Sequence, residues 1–133
     1  MTALVGIWFI FSPGAVSCPK SQNGKKMVHE LVETDNERTA DICLHETVRI
    51  TLPENATTGY RWVVERYDGT FLNELATESH YPKTAVVGSG GNVVFIFQGK
   101  KSGRGEILLK QWRSWEGDAS VIARFRVLVN VLP

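Results

Sequence analysis

Thr47-Val-Arg-Ile-Thr-Leu-Pro-Glu-Asn-Ala-Thr-Thr-Gly-Tyr-Arg-Trp-Val-Val-Glu-Arg66 reads as strand, turn, strand. Over residues 47–52 polar and apolar side chains alternate, which puts Val48, Ile50 and Leu52 on one face of a half-buried strand. Residues 60–66 are aromatic and β-branched, the composition that packs well on a pleated surface. Pro53 ends the first run, and Gly59 supplies the positive φ that the connection needs. The same signature recurs at residues 93–97, 106–112 and 121–129; in the last, Ala123, Phe125, Val127 and Val129 share a face opposite Arg124 and Arg126. Residues 26–32 and 39–44 read as shorter strands, and residues 71–76 carry at most one turn of helix. Turn chemistry separates the runs at Asp68-Gly69, Gly88–Gly91, Ser102–Gly105 and Glu116–Asp118. About seven short strands with frequent turns predict an all-β, immunoglobulin-like antiparallel β-sandwich of Greek-key topology, with a small barrel as the competing architecture.

Composition agrees with one globular domain. The chain has 133 residues, 43% hydrophobic and 22% charged, enough for a core without metal or disulfide help. Fifteen Lys and Arg against fourteen Asp and Glu leave a charge of +1, without the basic excess that phosphate contact demands of a nucleic-acid binder. Two cysteines are too few for a disulfide framework or a thiolate zinc site.

The amino terminus is the compositional outlier. Ala3-Leu-Val-Gly-Ile-Trp-Phe-Ile-Phe11 is a continuous apolar run, and no charge occurs before Lys20. The run is too short to span a bilayer but matches the apolar region of an export signal, followed by Ser12-Pro13-Gly14 and the small residues Ala15-Val16-Ser17. The expected division is an export segment over 1–17 and a single domain over 18–133, placing the domain in a secreted or periplasmic setting. Cys18 has two open fates: a bridge to Cys43, or attachment of a lipid, which would leave Cys43 a free buried thiol.

No catalytic constellation stands out. Cys43 and His45 lie two apart, as a dyad or half a metal site would require, but no third ligand or orienting Asn or Asp stands nearby. No glycine-rich loop leads into a helix, so Gly88–Gly91 lacks a phosphate-binding context. The expectation is therefore no enzyme, no metal and no cofactor.

The loops are more distinctive. Residues 53–59 are small and hydroxyl-rich; Gly88-Ser89-Gly90-Gly91 offers bare backbone; Arg113-Ser114-Trp115 puts a cation and a large aromatic, both hot-spot residue types, in a connection. If the flanking strands are lettered B–C, D–E and F–G, the alternation of connections between the two ends of a sandwich brings all three loops to one pole. That is the layout of a recognition module.

These segments resemble the chagasin family of cysteine-protease inhibitors. The family pattern is Asn-Pro-Thr-Thr-Gly-aromatic, then Gly-x-Gly-Gly, then Arg-Pro-Trp; here it reads Asn55-Ala-Thr-Thr-Gly-Tyr60, Gly88-Ser-Gly-Gly91 and Arg113-Ser-Trp115. The likeness runs over about residues 26–129. It implies reversible, tight-binding occlusion of papain-like cysteine proteases by a monomer. Asn55, Thr57, Thr58, Gly59 and Tyr60 would form the loop that enters the cleft. Gly88, Ser89, Gly90 and Gly91 would line one wall, Trp115 would pack on the other, and Arg113 would bond the enzyme or brace the loop. Ala56 and Ser114 replace the family prolines, at up to about 0.4–1 kcal/mol each in loop entropy. Ala56 also completes an N-glycosylation acceptor, Asn55-Ala56-Thr57, whose glycan would sit in the binding surface, so a bacterial source without that modification is expected. The rival reading is a carbohydrate-binding or adhesion sandwich using Trp62, Trp112 or Trp115 as a stacking platform.

Overall fold

The computed structural model describes Cys18, residues 27–81 and residues 90–133. The proposed export segment and two residues of the glycine loop, Gly88 and Ser89, lie outside the described residues.

Eight strands form among the described residues: β1 (Val28–Leu31), β2 (Arg38–Cys43), β3 (Thr47–Glu54), β4 (Arg61–Tyr67), β5 (Leu72–His80), β6 (Gly91–Gly99), β7 (Gly103–Trp112) and β8 (Ala123–Leu132). They make two four-stranded sheets in the orders β1-β3-β6-β5 and β2-β8-β7-β4, packed as an all-β sandwich. The alternation in β3 is realised with Val48, Ile50 and Leu52 fully buried, and they meet Phe95 and Phe97 of β6, Ile107 and Leu109 of β7, and Phe125, Val127 and Val129 of β8 in one core. Arg126, on the opposite face of β8, pairs instead with Glu106 and Glu37. Bonds from Arg126 and then Arg66 hold the Glu106 carboxyl below the usual carboxylate range, although burial opposes them.

Two features differ from the sequence expectation. The sheets are mixed, not wholly antiparallel: β1 runs parallel to β3, and β2 parallel to β8. A parallel pair needs a crossover, and here the intervening strand of the other sheet supplies it, β2 lying between β1 and β3 along the chain. The second difference is β5. Residues 71–76, read as at most a helical turn, belong to a nine-residue strand paired with β6 through a bulge between Glu74 and Ala76. Its Leu, Glu and Ala favour a helix weakly, but burying Leu72 and completing β6's hydrogen bonds outweigh that preference. β5 is also the strand ahead of the glycine loop that the alternation of connections requires.

Register fixes the poles. Glu54 lies opposite Gly91, His80 opposite Asn92 and Trp112 opposite Arg61, so the β3–β4, β5–β6 and β7–β8 connections share one end. At the other end, Lys100 donates its backbone N–H to Phe71 O at 2.8 Å, and His45 donates to Gly99 O at 3.0 Å.

The bridge takes Cys18 to Cys43, with Cα atoms 5.7 Å apart, so Cys18 sulfur is not available to a lipid nor Cys43 to a dyad. Because Cys43 pairs with Leu132 at the end of β8, the bridge sits at the pole away from the three loops. It closes a sequence separation of 25 residues, and chain-entropy reasoning assigns it about 3–4 kcal/mol. Replacing both cysteines by serine is expected to lower unfolding free energy in urea by that amount. The amide spectra of residues 55–60 and 113–120 should stay superimposable on the wild type.

Candidate functional site

The first loop is a capped turn. Asn55 Oδ1 accepts from Thr57 N at 3.1 Å and from Thr57 Oγ1 at 2.6 Å, nucleating the 3₁₀ turn Ala56–Thr58. Thr58 Oγ1 donates to Asn55 O at 2.8 Å and accepts from Tyr60 N at 3.2 Å, so the hydroxyls close the turn from within. Gly59 ends it at φ 82°, the left-handed backbone anticipated from the sequence. The two threonines stand exposed at the tip.

The third loop also holds a 3₁₀ turn, without a side-chain cap. Arg113 precedes the 3₁₀ turn Ser114–Glu116, and Ser120 Oγ accepts from Arg113 N at 3.0 Å and lies 2.9 Å from Arg113 O. The Arg113 guanidinium turns inward to the first loop: Nε and Nη2 donate to Thr58 O at 3.2 and 3.0 Å, and the group lies 4.3 Å from the centre of the Tyr60 ring. In the free chain Arg113 therefore links the third loop to the first. Both residues ahead of the proline positions of the family pattern, Asn55 (φ −109°, ψ 101°) and Arg113 (φ −103°, ψ 111°), hold the extended backbone that a following proline would favour. In the first loop the Asn55 cap closes the turn that a proline at position 56 would otherwise favour.

Trp115 projects from this brace, 70% exposed, the most exposed of the large hydrophobic residues described. Its ring edge abuts the first loop, since a Cβ on Gly59 would lie 2.7 Å from Trp115 Cη2 and 3.1 Å from Cζ2. The other candidate tryptophans are spoken for. Trp62 is buried in the core and donates its indole N–H to Pro53 O at 3.0 Å, while Lys110 Nζ covers the Trp112 ring at 3.6 Å. Of the three candidates for a stacking platform, Trp115 is the one left exposed.

The glycine loop is described only at Gly90 and Gly91. Gly91 is a close-approach position: a Cβ there would run into the Tyr81 ring and the His80 carbonyl. Tyr81 uses that space to donate its hydroxyl to Glu54, and burial, followed by this bond, pushes the phenol above its ordinary value. Glu54 itself is only 3% exposed. Its position two residues beyond Leu52, in phase with the buried face of β3, was the available sign of a buried carboxylate; nothing in the sequence pointed to Tyr81.

A stiff β-sandwich that braces a narrow turn beside an exposed indole is a binding module working by surface complementarity. Residues 41–129 match the chagasin family of peptidase inhibitors, I42. The chain is 31% identical over 108 residues to Chagasin of Trypanosoma cruzi, covering 78% of this chain and 98% of that protein. It is 34% identical over 102 residues to Amoebiasin-1 of Entamoeba histolytica, covering 76% and 97%. The solution structure of Amebosin superposes with a TM-score of 0.67 at 33% identity, over 79% of this chain and 98% of that one. The chain belongs to the chagasin family: it is a peptidase inhibitor, not an enzyme.

Proposed function

We propose that this inhibitor acts on papain-like cysteine proteases by reversible occlusion of the active-site cleft. Thr57, Thr58 and Gly59 enter over the catalytic cysteine, where narrow side chains permit deep approach of the backbone. Trp115 packs on one wall. Gly88–Gly91 lies along the other and makes main-chain hydrogen bonds like those of an extended substrate. No covalent step is needed. The observation that carries the reading is the Arg113–Thr58 brace, which makes the turn and the exposed indole one surface before any enzyme arrives. Ordering met during folding is not charged again on binding. Titration of papain, a cathepsin L-like enzyme and a serine protease tests it. Nanomolar inhibition of the first two and none of the third is expected; equal inhibition of all three, or of none, would refute it.

The same reading places the inhibitor, as a monomer, in a secreted or periplasmic setting. The Cys18–Cys43 bridge supports this, since such bridges persist in oxidising compartments. Residues 1–17 are then an export segment, and its removal leaves the bridge with the 18–133 domain. Binding through the first loop further requires that Asn55 carry no glycan, as in a bacterial host.

A further inference from the structure

We propose that Glu54 is a positioning residue for the inhibitory pole: its carboxylate ties the two ends of the first loop to each other and to the residue from which the second loop departs. The proposal rests on the inhibitory role given to those loops above. A carboxylate on the core face of a strand is costly to desolvate. An apolar side chain in phase with Val48, Ile50 and Leu52 would extend the core but leave the Trp62 N–H and the Tyr81 hydroxyl without their shared acceptor. What Glu54 adds over an apolar residue is those two bonds and the geometry they impose.

Oε1 accepts the backbone N–H of Trp62 at 2.7 Å, and the Trp62 indole returns a bond to Pro53 O at 3.0 Å. These two bonds join the last residues of β3 to the start of β4, which belongs to the opposite sheet, and so close the base of the loop between them. Oε2 takes the hydroxyl of Tyr81, which directly follows β5. The β3–β6 register puts Glu54 beside Gly91, whose missing side chain leaves room for the Tyr81 ring. Arg113 holds the tip of the first loop at Thr58; Glu54 holds its base and links it to the neighbouring loop.

A clamp of this kind acts on the free inhibitor, because in the complex the protease cleft supplies the same order. Losing it lowers the fraction of molecules that can bind, and so the association rate. Losing a direct contact instead raises the dissociation rate. The test compares Tyr81→Phe, Glu54→Leu and Glu54→Gln in two measurements: papain association and dissociation rates, and amide exchange of Thr57, Thr58 and Gly59 in the free protein. Tyr81→Phe and Glu54→Leu should slow association about tenfold and speed exchange similarly, with dissociation within about twofold of wild type. Glu54→Gln keeps an acceptor for Trp62 N and a donor toward the Tyr81 oxygen, and should restore both readouts to within about threefold. Wild-type association and exchange in Tyr81→Phe would overturn the proposal, and that variant decides even if Glu54→Leu does not fold. Should the wild type leave papain active, the functional reading falls, and the exchange rates alone decide the clamp.

Discussion

Trp115→Ala is expected to raise the inhibition constant for papain by roughly 30- to 900-fold, about 2–4 kcal/mol, almost all of it through faster dissociation. The free protein leaves 70% of this residue in water. A tryptophan carries about 200 Å² of burial, so covering the exposed part at about 25 cal/mol per Å² accounts for about 3.5 kcal/mol. The edge of the indole already rests against Gly59, so binding builds on an existing contact. The same exposure means that the fold hardly depends on it, and thermal unfolding should match the wild type within about 0.5 kcal/mol. Weak inhibition with an intact melt is the expected pairing. Unchanged inhibition would remove Trp115 from the interface.

Gly59→Val should also weaken inhibition strongly and, unlike Trp115→Ala, should touch stability. The residue sits at φ 82°, where a β-branched side chain is strained by about 1–3 kcal/mol. Its Cβ would press on Cη2 and Cζ2 of Trp115 and approach Arg113 Nε at 3.6 Å. The indole lies at the surface and can swing away, so the fold survives, but the turn and the indole no longer hold one surface. Loss of at least about a hundredfold in inhibition is expected, with a melting point lowered by several degrees. Gly59→Ala should fall between, since it brings the same Cβ without the branch. Equal inhibition by all three proteins would contradict the close packing of the two loops.

How far the sequence discloses this molecule depends on the range of the interaction that shapes each part. Alternation in β3 and β8 shows which face is buried, because burial acts on each side chain separately. Gly59 and Trp115 are legible for similar reasons: one is needed by local backbone geometry, and the other is out of place in a solvated turn. β5 was hidden because its helix-favouring composition is overruled by pairing with the open edge of β6, which no pattern within residues 71–76 reveals. The parallel pairs were hidden because they depend on which sheet each short N-terminal strand joins. Cys18 offered two chemistries, and only folding brings it to Cys43 at the end of β2. The Glu54–Tyr81 bond joins residues 27 apart and follows from register, which no local pattern contains.

In the proposed mechanism three loops at one pole occlude a protease cleft while the rest of the sandwich stays uncovered. Amide hydrogen exchange of the inhibitor with and without saturating papain tests it most directly. Added protection is expected at residues 57–59, 88–91 and 113–116, and none at residues 68–71 or 100–102 on the opposite pole. Protection confined to the opposite pole or to the sheet faces, with the three loops exchanging as in the free protein, would contradict it.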